Sequence, residues 1–310
     1  MENNEKDFTG GIQSYIDYLE ANKRHSSAKS YRDAWRSFTR FAGMERIPYT
    51  YINKRNLERY EGHLGRAGRS QNTISTYMRR LRCVYYRAVE AGEAPYVPGL
   101  FKDVFTGVES RRKRALTAPE MSRMMSAPVK GERLLRARLA LCLMFLFGGM
   151  AFVDFAHLTA GNLGDGRLLS YKRRKTGVTI RLELPPVAGE LAGPLWAEGG
   201  KYLFPFLDGE REGKEAYRAY VAALARFNRA LRALARSCGV TSPVSSYTIR
   251  HTFATTLKER GVPVEVISEL LGHTSIRTTQ IYLKSFSLER LAEVNRECFE
   301  SVYRPLPEAA

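Results

Sequence analysis

Apolar residues recur along this chain at intervals of three and four, the spacing that lines one face of an α-helix. Ile12, Tyr15, Ile16 and Leu19 form a first stripe. Tyr31, Trp35, Phe38 and Phe41 form a second, which Ser26 or Ser27 opens and Gly43 stops. A third helix is predicted over about residues 53–64. A fourth follows Ser70 or Asn72, with Ile74, Met78, Leu81 and Tyr85 on its inner face and Gly92 at its end. Between those apolar positions it presents Arg79, Arg80, Arg82 and Arg87. Pro95, Pro98 and Gly99 interrupt the pattern, and the run Glu109-Ser110-Arg111-Arg112-Lys113-Arg114 comes after them. The expectation is an all-helical domain over residues 1–108, a basic linker over 109–116 and a second domain over 117–310.

The second domain opens with Thr117-Ala118-Pro119-Glu120, a capping box with proline near the helix start. The longest apolar run, Leu139 to Phe147, is too short to cross a bilayer and reads as a buried central helix. Periodicity then changes from helical to alternating. Residues 167–173 and 178–184 read as two strands joined through Arg174-Lys175-Thr176-Gly177. A long helix over about residues 214–238 leads to three short ones. The first, capped by Ser245 or Ser246, carries Phe253, Ala254 and Leu257 and stops at Gly261. Pro263 begins the second, Gly272 ends it with a left-handed residue, and the third runs from Thr274 or Ser275 to Tyr282. These two tight corners fold Arg250, His273 and Tyr282 back toward one another. A final helix from Ser287 carries Leu288, Leu291, Val294, Phe299 and Val302. The fold class is mainly α with a small β-hairpin: four helices, then an α+β domain.

With 44% apolar and 26% charged residues the chain has the composition of a globular protein. Lys and Arg number 49 against 32 Asp and Glu, a formal net charge of +17, so its natural partner is an extended polyanion, and nucleic acid fits best. Nothing marks a membrane surface as partner. Cys83, Cys142, Cys238 and Cys298 are dispersed through helical patterns, which points to a reducing cytoplasm and to neither a zinc site nor a disulfide framework. His25, His63 and His157 have no constellation around them and default to packing or surface roles.

The segments Arg250-His251-Thr252-Phe253-Ala254-Thr255, Leu271-Gly272-His273-Thr274-Ser275 and Thr278-Thr279-Gln280-Ile281-Tyr282 resemble, in order and spacing, the C-terminal signature of the tyrosine recombinase (phage integrase) family. The four-helix unit is similar to the core-binding domain that precedes the catalytic domain in its bacterial members. The resemblance implies site-specific DNA recombination through a 3′-phosphotyrosyl intermediate, without metal, ATP or other cofactor. Tyr282 would be the nucleophile, Arg250 and His273 would stabilise charge on the phosphate, and Lys175 would be the general acid, with Lys172 its rival on the same turn. Tyr247 stands where the family usually has a histidine, and a phenol of pKa about 10 is a poor base near neutrality. Arg79, Arg80, Arg111, Arg112, Arg173 and Arg174 are candidate phosphate grips.

One departure stands out. The family's first active-site arginine would fall at Ala151, with Asp154 three positions on, or at Gly148 in some relatives, and neither position holds an arginine. Arg136 and Arg138 are the substitutes suggested by sequence position. The alternative reading is a catalytically weakened recombinase-like protein that binds DNA and regulates. Implied partners are double-stranded DNA, further copies of the chain in a tetrameric synapse, and accessory DNA-bending proteins, in the cytoplasm at the nucleoid.

Overall fold

A computed structural model describes residues 7–109, 115–197, 199–282, 292–293 and 295–297, with only the backbone described for residues 281 and 282. The chain divides into two compact units, residues 1–111 with 212–217, and residues 112–211 with 218–310.

The first unit is built from α1 (Phe8–Ala21), α2 (His25–Ala42), α3 (Lys54–Arg66) and α4 (Gln71–Glu90). Asp7 caps α1 by accepting the Gly10 N–H at 2.7 Å, Asn53 caps α3 and Ser70 caps α4. The start of α2 differs from the predicted serine cap. It begins at His25 behind Lys23, which has φ 56°. Its first turn is held by a carboxylate of the preceding helix: Glu20 meets the His25 ring and accepts from Arg32 at 2.6 Å. The predicted apolar stripes point inward. Ile12, Ile16, Leu19, Phe38, Met78 and Leu81 are buried, and Phe38 meets Tyr60 edge-on at 5.0 Å. The stretch after α4 does more than interrupt the helices. Leu100, Phe101 and Val104 join the same core. The Asn72 side chain then clasps the Glu109 backbone, donating to its carbonyl and accepting from its N–H, both at 2.9 Å.

The second unit opens with α5 (Ala118–Ser126), whose Thr117–Glu120 capping box forms, and α6 (Glu132–Leu146), whose Leu139, Leu141, Leu143 and Met144 are buried. The short α7 (Phe152–Phe155) follows, anchored where Phe155 stacks on Phe204 at 4.5 Å. Strands β1 (Leu168–Lys172) and β2 (Thr179–Glu183) pair antiparallel, with Leu169 opposite Leu182 and Tyr171 opposite Ile180. Then come α8 (Val187–Ala192), α9 (Gly213–Ser237), α10 (Ser246–Glu259), α11 (Val264–Leu270) and α12 (Ile276–Tyr282). Among the described residues no helix is long and apolar enough to cross a membrane. The linker residues 110–114 and most of the helix expected from Ser287 lie outside the described residues.

Gly272 sets the corner between α11 and α12. Its φ is 59°, and the N–H groups of Gly272 and His273 close the α11 end on Glu269 and Ser268 at 2.8 and 3.0 Å. A Cβ there would lie 2.5 Å from Arg173 Cδ and 2.9 Å from Ile180 Cδ1, so the hairpin packs against bare backbone. Gly261, at the other corner, has φ 78° but nothing within 4 Å of a Cβ. Gly261→Ala is therefore expected to cost only the left-handed backbone penalty of about 1–2 kcal/mol. Gly272→Ala should cost clearly more, because the hairpin must also shift. Urea unfolding of the two variants checks this, and equal losses would remove the packing argument.

Candidate active site

The site begins with an arginine shielded from solvent. Arg250 sits one turn into α10 and is 2% exposed. A buried guanidinium is tolerated only when its N–H groups find acceptors. Nη1 donates to the Gly149 carbonyl at 3.0 Å, just past the end of α6, and Nη2 donates to the Leu271 carbonyl at the end of α11. Gly149 has φ 65°, and a Cβ on it would press on Phe253 at 3.0 Å. The close approach of α10 to this turn thus needs a glycine.

His273 leaves the α11 corner with its ring against Arg250. Nε2 lies 3.3 Å from Arg250 Nη2, and Nδ1 lies 2.9 Å from Thr279 Oγ1. A ring whose Nε2 accepts from Arg250 must carry its proton on Nδ1, which then donates to Thr279. Burial, followed by the positive charges of Arg250, Arg173 and Lys175, pushes the imidazole down from 6.5 to about 4. It is neutral near pH 7. Thr279 is wholly buried on α12, and Tyr282 is the last residue of that helix, three positions on. The Tyr282 side chain lies outside the described residues.

The hairpin tip closes on the same corner. Arg173 donates its N–H to the Val178 carbonyl, Gly177 donates back to the Arg173 carbonyl, both at 2.8 Å, and Thr176 Oγ1 donates to the Gly272 carbonyl at 3.3 Å. Lys175 and Lys172 are exposed at this tip. Arg173, expected to project to a DNA backbone, is instead drawn inside to 5% exposure. Its Nη1 donates to the Leu271 and Gly272 carbonyls at 2.7 and 2.8 Å, and its Nε faces Asp154 Oδ2 at 3.6 Å. Asp154 is 3% exposed and also accepts the Arg174 N–H at 2.9 Å, while the Arg174 side chain stays exposed.

The other candidates fall elsewhere. Tyr247 is 50% exposed and meets His251 edge-on at 4.5 Å. Arg138 donates to the Ala127 carbonyl at 2.7 Å and Arg136 pairs with Glu132 at 3.5 Å, so neither guanidinium joins Arg250. Ala151 merely precedes α7, and Gly148 has φ 73° with Leu182 Cδ1 3.2 Å from where a Cβ would stand. In the first unit Arg79 is exposed, whereas Arg80 packs over the Tyr31 ring at 4.8 Å and donates to Ser30 Oγ at 3.1 Å. Arg111 and Arg112 lie outside the described residues. Sequence reasoning missed Thr279 as the partner of His273 and Asp154 as the partner of Arg173. The strand period held the signal for Arg173, since Leu169, Tyr171 and Arg173 share the inward parity.

Residues 114–289 match the family model described as the phage integrase family, and residues 7–98 match the phage integrase SAM-like domain. A tyrosine recombinase of Thermosipho africanus is 23% identical over 299 residues, covering 92% of this chain and 98% of that one. Other tyrosine recombinases match at 37–41% identity over only 68–71 residues, 24% of their own length. The Tn1549 transposon integrase, solved with a circular intermediate DNA, superposes with a TM-score of 0.68 at 16% identity, over 94% of this chain and 99% of that one. A lambda integrase tetramer bound to a Holliday junction gives 0.64 at 19% identity, over 91% and 78%. The match that spans the hairpin, the buried arginines and the three terminal helices covers more than half of the sequence, and by it this chain belongs to the phage integrase family.

Proposed function

We propose that this protein is a site-specific DNA recombinase that cuts and rejoins strands through Tyr282. The observation that carries the reading is the Arg250–His273 pair tied to Thr279, because it links a guanidinium and a neutral imidazole to the helix that ends in Tyr282. The Tyr282 oxygen attacks the scissile phosphorus and forms a 3′-phosphotyrosyl bond as the bond to the 5′ oxygen breaks. Lys175, at the exposed hairpin tip, gives that oxygen its proton, and the 5′ hydroxyl departs. Neutral His273 is able to take up the phenolic proton, while the Arg250 guanidinium balances charge on the non-bridging oxygens. The new bond keeps the energy of the phosphodiester, so a 5′ hydroxyl from a second duplex reverses the step without ATP, and these cations do the work a metal ion would otherwise do. The net charge of +17 and the exposed Arg79 and Arg174 suit a DNA backbone. Strand exchange between duplexes calls for several copies of the chain on DNA. The relatives' complexes with circular intermediate DNA and, as a tetramer, with a Holliday junction support that assembly. In this reading the helical unit over residues 1–108 holds the duplex, the basic run through Arg111 and Arg112 follows it, and residues from 117 on carry the chemistry.

Three measurements test this. Incubated with a library of duplexes nicked near the crossover, the wild-type protein should trap a covalent adduct that Tyr282→Phe does not form. Site-specific binding with no adduct would instead mark a DNA-binding regulator. Lys175→Ala should slow cleavage by about 10²–10⁴ on ordinary DNA. It should recover on a 5′-bridging phosphorothiolate, whose thiolate leaves without a proton; the same pattern in Lys172→Ala alone would move the acid to Lys172. The third concerns His273, whose folded pKa of about 4 lies below its ordinary 6.5. Below 6.5 the unfolded chain takes up a proton that the folded one refuses, so stability falls as pH drops from 6.5 toward 4. Urea midpoints measured across that window should fall less steeply for His273→Gln than for wild type.

A further inference from the structure

The active site holds a second buried guanidinium that the family signature does not account for. Arg173 and Arg250 donate to one shared oxygen, the Leu271 carbonyl, so the two cationic groups stand side by side. Nη1 of Arg173 is occupied by two carbonyls and Nε faces Asp154. Nη2 has no acceptor among the described residues and is not one of the fully buried polar atoms left without a partner, so it keeps an opening to solvent. Among the described residues of the second unit the buried charged groups are Arg173, Arg250 and the carboxylate of Asp154, so positive charge predominates among them. Such a corner, with an N–H left open, suits an anion from outside. A phosphodiester carries one negative charge and accepts hydrogen bonds from paired N–H groups.

Asp154 belongs to the corner that lacks the arginine, and it steers Arg173 from across the hairpin. A side chain at Gly148 would be strained by its φ of 73° and pressed on Leu182, and Arg136 and Arg138 are engaged elsewhere. We propose that Arg173, delivered from the hairpin, is a catalytic residue that supplies the second guanidinium to the scissile phosphate through its free Nη2. The assignment rests on the recombinase reading above and adds to it an arginine from the hairpin.

The test compares a nicked suicide duplex with a normal scissile phosphate and one carrying a neutral methylphosphonate there. Arg173→Ala should form the covalent adduct about 10²–10³ more slowly than wild type on the phosphate, the usual loss for one transition-state charge donor. On the methylphosphonate, which carries no negative charge to balance, the gap should shrink to within about tenfold. Arg173→Lys, which keeps the charge without the planar fork, should fall between them. Thermal melts of both variants guard against loss of the fold, and if Arg173→Ala does not fold, Arg173→Lys is read alone on the two substrates. An adduct rate equal to wild type in a folded variant, or an equal loss on both substrates, overturns the assignment while leaving the recombinase reading intact. Failure of the wild-type protein to form any adduct overturns both.

Discussion

A helix that ends inside a protein leaves carbonyl oxygens without donors, and in this chain two such ends are turned toward guanidinium groups. Gly149 lies just past α6, and Leu271 and Gly272 lie at the end of α11. Their three carbonyls take four N–H contacts from Arg250 and Arg173. The arrangement satisfies both sides of a bad bargain: orphan carbonyls at a helix C-terminus carry partial negative charge, and a buried guanidinium needs acceptors in a fixed plane. Everything else at the site is arranged around that cradle. Gly149 and Gly272 are glycines because α10 and the hairpin approach their backbones too closely for a Cβ. The capping box at Ser245 sets where α10 begins and so where Arg250 enters. Thr279 reaches back to His273 and ties α12 to the cradle.

Much of this was legible in the sequence because the determinants are local. The glycine stops, the Thr117 capping box, the Ser70 cap and the period-two pattern of the hairpin each depend on a few neighbouring residues. Arg250, His273 and Tyr282 were readable as a set because two short corners separate them. Tertiary choices were harder to see. The start of α2 went to Glu20 and His25 rather than to Ser26 or Ser27, a contact between helices that no local propensity encodes. The basic residues of the hairpin read alike as surface charges, yet Arg173 falls on the same strand face as Leu169 and Tyr171, and the carboxylate that makes its burial tolerable lies 19 residues earlier at Asp154. Period two alone would have separated Arg173 from its neighbours Lys172 and Arg174.

The empty corner at Ala151 is then less of a defect than the sequence suggests. A phosphate-binding site requires donors at given points in space, and any element that reaches those points can supply them. Here Asp154 remains at the corner and binds the hairpin twice, once through the Arg174 N–H and once facing the Arg173 guanidinium. One carboxylate thus fixes both the strand end and the charge on it. The same excess of positive charge explains His273. A half-buried imidazole beside Arg250, Arg173 and Lys175 resists adding a fourth positive charge, and so it stays neutral well below its ordinary range. An anion entering the cradle would offset part of that field and so raise the imidazole back toward its ordinary range.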